Sequence, residues 1–312
     1  MGPMAVAEAL ALGSRNMIMT AVLLCSIGLV VNVIAMSGVG NTFSLMITQW
    51  AGDSLLIAIV LIALASLILG MGLPVTAAYI VLGTLSAPAL FDLIANQQLA
   101  TAIAGGNVGD QAKTMLMLVA PDAAAKLGGP MSLEAAKELV AAIPRDLLTP
   151  IRESVIDQTT LTFALLSAHL IIFWLSQDSN VTPPVCLTAF TAAAIAGTPA
   201  MATGLTSWKI AKALYIVPLL FAYTSFIGGP LLEVFTIFAF ALVGLYAFSG
   251  FMQGHLENPL AWPMRIALLF CGALLLLPLA TYVKLLGLAG FVAILILNIR
   301  SKRVEQPVAA SS

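Results

Sequence analysis

An apolar run that is charge-free from Gln158 onward is broken at Ser176 to Gly197, which reads SQDSNVTPPVCLTAFTAAAIAG. Gln177, Asp178, Ser179, Asn180 and Thr182 come together there, followed at once by Pro183 and Pro184, and the apolar run then resumes without another charge until Lys209. In lipid every backbone amide and carbonyl needs a partner inside the protein, so polar residues and a double proline at that depth cannot face lipid. They have to line a protein-enclosed cavity, where freed carbonyls and side-chain oxygens can hold an ion or a polar substrate. A simple proline kink is the plain alternative, but a kink needs neither two prolines nor five polar neighbours.

The rest of the composition agrees with a membrane setting. The chain of 312 residues is 61% hydrophobic and 9% charged, with a mean hydropathy of +1.05, whereas a soluble domain has about 25% charged residues. The apolar runs are long and continuous rather than alternating, so the expected fold class is all-α, a polytopic integral membrane protein. A net charge of −1 leaves no basic surface for nucleic acid. Cys25, Cys186 and Cys271, and likewise His169 and His255, stand singly. That pattern argues against disulfides, zinc and haem.

Along the chain, the opening MGPMAVAEALALGSRN has an acid and no basic run, and reads as a short amphipathic lead-in rather than a signal peptide. Met17 to Met36 is a span, Ser37 to Asn41 breaks it, and Thr42 to Trp50 is a short interfacial segment, which together make a first region of 1–52. The next region, 53–96, is charge-free from Ser54 to Phe91, nearly twice one crossing, and contains Gly70-Met71-Gly72-Leu73-Pro74-Val75-Thr76. Two glycines and a proline end one helix and start another, with Pro74 in the first turn. A kinked pair of spans and a re-entrant hairpin both fit; the tip is too apolar for an aqueous loop, which favours the hairpin. Residues 97–157 are a charged extramembrane insertion in which Ser132 caps an amphipathic helix to Ile143, and its mixed charges read as a solvated face. Residues 158–228 hold spans around the broken element at 176–197, with Trp208, Lys209 and Lys212 at an interface and a charge-free span from Ala213 to Leu232. Residues 229–312 hold C-terminal spans, with a division at Lys284 and a basic end, Arg300-Ser301-Lys302-Arg303, that reads as cytoplasmic.

At the break the chemistry is specific. Proline lacks an amide hydrogen and disfavours helix in the residue before it, so the helix unwinds near Asn180 to Thr182. Carbonyls of that turn and the oxygens of Ser179, Asn180 and Thr182 suit a hard cation such as Na+. A second half-helix starting at Pro183 or Pro184 points its amide end into the gap and favours an anion, and Thr188 and Thr191 extend its polar wall. Asp178 is either a coupling-ion ligand or a cap beside a watery vestibule. His169 is read as a packing or hydrogen-bonding residue, and Trp50, Trp174, Trp208 and Trp262 as interface anchors. Catalysis is not expected: no serine has a histidine placed as its base, no second buried acid accompanies Asp178, and no acidic cluster is present for Mg2+.

At these residues the chain resembles a known family. Gly70-Met-Gly-Leu-Pro-Val-Thr-Ala-Ala-Tyr79 followed by Ala87-Pro88-Ala89 is similar to one signature of the large membrane subunit of tripartite ATP-independent periplasmic (TRAP) transporters, in its fused-permease form. Asn180-Val-Thr-Pro-Pro-Val-Cys-Leu-Thr-Ala-Phe190 with Ala194 to Gly197 is similar to a second signature, and Met201 to Tyr223 also fits. The resemblance covers roughly Glu8 to Tyr223. It implies an elevator-type secondary transporter that imports organic acids with a sodium gradient across the bacterial inner membrane, fed by a periplasmic substrate-binding protein. The hairpin and the unwound helix then supply the site: Gly70, Gly72, Thr76, Ser179, Asn180 and Thr182 for sodium, and Pro74, Asp178, Pro183, Pro184, Thr188 and Thr191 for substrate. No cofactor is implied, and no metal beyond sodium as coupling ion.

Three departures matter. Relatives often carry an acid where this chain has Asn180, and the insertion at 97–157 is longer than the usual connection. The family's fold has two inverted repeats, each with a hairpin and a broken helix, while this chain holds one such pair. It therefore resembles the C-terminal half of a fused permease, needing an N-terminal half or small membrane subunit as partner, and lipid around it. Two other readings share these residues: an ion-coupled elevator carrier without a binding protein, and a non-transporting remnant or assembly subunit.

Overall fold

A computed structural model describes residues 2–52, 54–106, 108–119, 131–184 and 186–300. Among these residues there are fourteen α-helices and no strand beyond one isolated bridge, His255 to Pro259. Five helices are long and apolar enough to cross a membrane, or six spans if one bent pair counts as one. The protein is thus an all-α, multi-pass membrane protein. The chain packs as two units, residues 1–205 and 206–312.

In the first unit, α1 (Pro3–Ser37) is one continuous helix, so the expected lead-in is continuous with the helix that follows it. The break that follows is narrower than 37–41: Gly38 alone, at φ +71°, turns the chain by 72° into α2 (Val39–Ala51). A left-handed conformation is open to glycine at no steric cost, and one such residue suffices to turn the helix. Ser54 then caps α3 (Leu55–Gly70), which returns through Met71 to Pro74 as α4 (Val75–Ala104). Pro74 sits just before the first turn of α4, not inside it. At about 1.5 Å per residue α3 is about 24 Å long, short of a hydrocarbon core of about 30 Å, whereas α4 is about 45 Å.

The excess length of α4 enters the charged insertion. The helix runs past Gln97 to Ala104, and its last turns join α5 (Asp110–Val119), α6 (Leu133–Ala142) and α7 (Arg145–Val155) around a core that includes Leu99, Ile103, Leu116, Leu139 and Ile151. Ser132 caps α6 as its sequence suggests, its Oγ accepting from the Ala135 amide at 3.3 Å, with Ala136, Leu139, Val140 and Ile143 buried beneath. Asp122 and Lys126 lie outside the described residues. Asp157 then caps α8 (Gln158–Ser176), accepting from Thr160 Oγ1 at 2.6 Å and the Thr160 amide at 2.9 Å, which holds its carboxyl below the ordinary carboxylate range.

Helices α4 and α8 run antiparallel. Tyr79 lies edge-on to Phe173 and its hydroxyl meets His169 Nδ1 at 3.3 Å, while Gly83 faces the same histidine and Leu161 joins the core at the far end of α4. His169 is therefore hydrogen-bonded within the helix pair, the role read from its sequence.

The second unit differs from expectation in two places. One continuous helical stretch covers 200–223, as α10 (Ala200–Ile210), a 3-10 turn (Ala211–Tyr215) and α11 (Val217–Tyr223). Trp208, Lys209 and Lys212 therefore lie inside a candidate span, and the ammonium of Lys212 sits over the Trp208 ring at 4.7 Å. The next break falls at Thr224–Pro230, where Gly228 has φ +83° and Pro230 precedes α12 (Leu231–Gln253). Likewise α13 (Trp262–Leu276) and α14 (Thr281–Arg300) divide at Leu277–Ala280, where Pro278 lacks a donor, not at Lys284, which lies in α14. Gly244, Gly272 and Gly287 let these three helices approach closely: a methyl group at Gly272 would lie 3.2 Å from the Gly244 carbonyl oxygen. The basic run Ser301 to Arg303 lies outside the described residues.

Candidate functional site

The helix α8 ends at Ser176 and tightens into a 3-10 turn, Gln177–Asn180. Irregular chain follows through Pro184, and α9 (Leu187–Ala196), with Cys186 at its N-cap position, completes the element. The second half-helix thus starts at Leu187 and not at Pro183 or Pro184. Each proline removes a donor, and Pro184 also disfavours helix at Pro183, so the prolines stand ahead of the helix. They join through a cis peptide bond. Val185 lies outside the described residues.

Two glycines set how closely neighbouring elements approach this break. At the hairpin tip, a methyl group on Gly70 would lie 3.0 Å from Ser179 Cβ and 3.2 Å from its Cα, so the end of α3 rests directly on the 3-10 turn. On α10, a methyl group on Gly204 would lie 2.7 Å from Cys186 Sγ and 3.3 Å from Pro183. The first contact joins two of the motifs read from sequence. The second was missed, because Gly204 carries no chemistry of its own and only the fold reveals its neighbour.

Within the break the polar groups divide into satisfied and unsatisfied sets. Asn180 Oδ1 accepts from Thr188 Oγ1 at 3.2 Å, tying the two half-helices across the gap, and its Nδ2 donates to Gln177 Oε1 at 3.3 Å. Ser179 Oγ donates to the Ser176 carbonyl at 3.0 Å, and Thr191 Oγ1 donates to the Leu187 carbonyl on its own helix. In contrast, both carboxylate oxygens of Asp178 and the hydroxyl of Thr182 are buried with no hydrogen-bond partner among the described residues. Gly72, Pro74 and Thr76 at the tip, and Pro184, Thr188 and Thr191 beyond the break, lie on the chain's own surface. A buried carboxylate and hydroxyl beside an unwound turn are hard oxygen donors, the set a hard cation requires.

A family profile decides the family. It is described as tripartite ATP-independent periplasmic transporter, DctM component, and it matches residues 3–227, which include the hairpin, the insertion and the broken helix. The chain belongs to this family. No curated protein and no solved structure matches it. As a DctM-family protein it is the permease of a TRAP-type secondary transporter, and most of its second unit, from residue 228 on, lies beyond the matched region.

Proposed function

We propose that the chain is the permease subunit of a sodium-coupled transporter that imports organic acids across the bacterial inner membrane. In this reading a periplasmic binding protein delivers the substrate, and an N-terminal permease half or small membrane subunit completes the site. The observation that carries it is the seating of the hairpin tip on the broken helix, Gly70 against Ser179. Both elements bear the family's motifs, and the break holds hard oxygens that are unsatisfied among the described residues. Gly70, Gly72, Thr76, Ser179, Asn180 and Thr182 surround the sodium. Pro74, Pro183, Pro184, Thr188 and Thr191 face the substrate, where the amide end of α9 favours a carboxylate. Asp178 stands between the two sets.

The bridge from Asn180 to Thr188 suggests how the gap is held: losing it frees the two half-helices and an amide at once. The test is uptake of a panel of organic acids into proteoliposomes holding the chain with its partner permease half and binding protein. Uptake should require a sodium gradient and should fall by at least about tenfold in Asn180→Ala and in Thr182→Ala, as for loss of a polar ligand to the ion. Sodium-dependent uptake that survives both changes would keep the transporter and discard this site. Uptake independent of sodium would discard the coupling.

A further inference from the structure

Lys284 in the second unit has no counter-charge among the described residues. It lies one turn inside α14, a candidate span, and is half-buried. Its ammonium sits 5.8 Å from the centre of the Phe240 ring on α12, and no ion pair reaches it among the described residues. The only acids from Leu231 to Arg300 are Glu233 and Glu257. Glu257 follows the end of α12, about 20 Å past Phe240 along the helix axis, and the exposed Glu233 stands about 10 Å before it. Arg265 on α13 is satisfied by comparison: its Nε donates to the Phe251 carbonyl at 3.0 Å, and its guanidinium lies 4.6 Å from the centre of the Trp262 ring. A charged side chain in an apolar span is costly unless an opposite charge or a polar partner meets it. Lys284 has only the ring.

The ammonium stands at the lip of a groove. Gly244 and Gly287 bring α12 and α14 close against α13: a methyl group on Gly244 would lie 2.7 Å from Leu276 Cγ, and one on Gly287 2.9 Å from Leu274 Cβ. Away from α13, bulkier side chains hold α12 and α14 apart around a groove of about 420 Å³, lined by Phe235, Thr236, Ala239, Phe240, Val243 and Leu288. Phe235, Ala239 and Val243 follow one another at four-residue spacing, so they form a single stripe along α12. Leu288 is four residues after Lys284, which puts the lysine and the groove on the same face of α14. One turn further along both helices, Tyr246 meets Phe291 edge to face with ring centres 5.7 Å apart, closing the groove at that end. We propose that this groove binds a phospholipid, with its phosphate on Lys284 and one acyl chain along the stripe of α12.

Charge and shape together select the occupant. The lysine requires an anion and the groove requires hydrocarbon, and a phospholipid supplies both in one molecule, as at other basic pockets between spans. A free phosphate would satisfy the charge and leave the groove empty. A further helix is a poorer match, because helices in lipid pack closely through small residues, while Phe235, Phe240, Val243 and Leu288 make these walls bulky. A flexible acyl chain can thread between such side chains. Lys284 also stands within one turn of an end of its candidate span, where a long basic side chain reaches the headgroup layer. Every residue of the site lies beyond the matched region 3–227, and nothing in the inference depends on sodium coupling.

The test is native mass spectrometry of the full chain in detergent, offered phosphatidylglycerol, the uncharged diacylglycerol with the same chains, or inorganic phosphate. The parent should retain phosphatidylglycerol as a one-to-one adduct and diacylglycerol about fivefold less, the contribution of one lysine to an anionic headgroup. Phosphate alone should not be retained. Lys284→Gln should bring phosphatidylglycerol down to the level of diacylglycerol, and Lys284→Arg should keep it. Ala239→Leu fills the groove from an exposed position without touching the charge, and should weaken both lipids. Phosphatidylglycerol retention that survives Lys284→Gln overturns the proposal, as does equal retention of the two lipids or retention of phosphate as strong as that of the lipid. A dimer that Ala239→Leu dissociates would give the groove to a second copy of the chain. Loss of the adduct when the partner permease half is co-purified would give it to that subunit, and either result overturns the proposal.

Discussion

At the scale of single residues, the two glycines of the hairpin tip make opposite predictions. Gly70 abuts the backbone and Cβ of Ser179, whereas a methyl group on Gly72 would have open space around it. Gly70→Ala must push the 3-10 turn away, because the nearest atoms belong to backbone and a short side chain and cannot swing aside. Overpacking of this kind costs about 1–3 kcal/mol. Gly72→Ala should be close to neutral. Thermal unfolding of the two variants in parallel is the measurement, and equal melting temperatures would show that the hairpin tip does not rest on the break. Both glycines were legible in the sequence as punctuation, yet nothing in it separated them. The motif spacing says that a turn exists, but which glycine meets another element depends on a helix more than a hundred residues away in sequence, and on the face that α3 presents to it.

At the scale of elements, the break itself was the most readable part of the chain, because proline and clustered polar side chains in an apolar run act locally. Its far end was misjudged: the helix restarts at Leu187, since two prolines in a row still leave the chain to find a capping position, here Cys186. The insertion was read as a solvated, charged appendage, and one of its charges is nothing of the kind. Arg152 on α7 is 4% exposed. Its Nη1 donates to Asp92 Oδ1 at 2.7 Å, its Nη2 to Asn96 Oδ1 at 2.8 Å and its Nε to the same oxygen at 3.2 Å. The guanidinium also lies 5.7 Å from the centre of the Phe91 ring. No local pattern marks an arginine that reaches back to a helix sixty positions earlier. Arg152→Ala should cost about 2 kcal/mol, the range of charged hydrogen bonds, lowered because the Asp92 side chain is half exposed. Arg152→Lys should recover little, since an ammonium cannot span Asp92 and Asn96 in one plane. Thermal unfolding with limited proteolysis of 105–157 would show it; an Arg152→Ala protein that melts and resists protease like the parent would mean the insertion is held by its apolar core alone.

At the scale of the first unit as a whole, these pieces fix which ends share a side of the membrane. The end of α3, the start of α4 and the end of α8 meet around Gly70, Tyr79 and Ser179. Their opposite ends, at Ser54, Ala104 and Gln158, must therefore lie together on the other side of that meeting point. At about 24 Å, α3 is shorter than a hydrocarbon core of about 30 Å, and we therefore propose that its tip stops inside that core. By the same rise per residue, α4 reaches Asp92 about 25 Å from its start, level with the mouth of the hairpin, and its remaining turns project beyond. On that placement the Arg152 contact would sit where α4 leaves the lipid, a depth at which a charged pair is tolerated. The geometry predicts that the hairpin mouth and the insertion face the same compartment. In a background lacking Cys25, Cys186 and Cys271, single cysteines at Ser54 and at the exposed Glu153 should react with a membrane-impermeant maleimide from the same side of sealed vesicles. Labelling from opposite sides would mean that α3 and α4 together cross the bilayer once, as a broken span, and do not form a hairpin that returns to its own side.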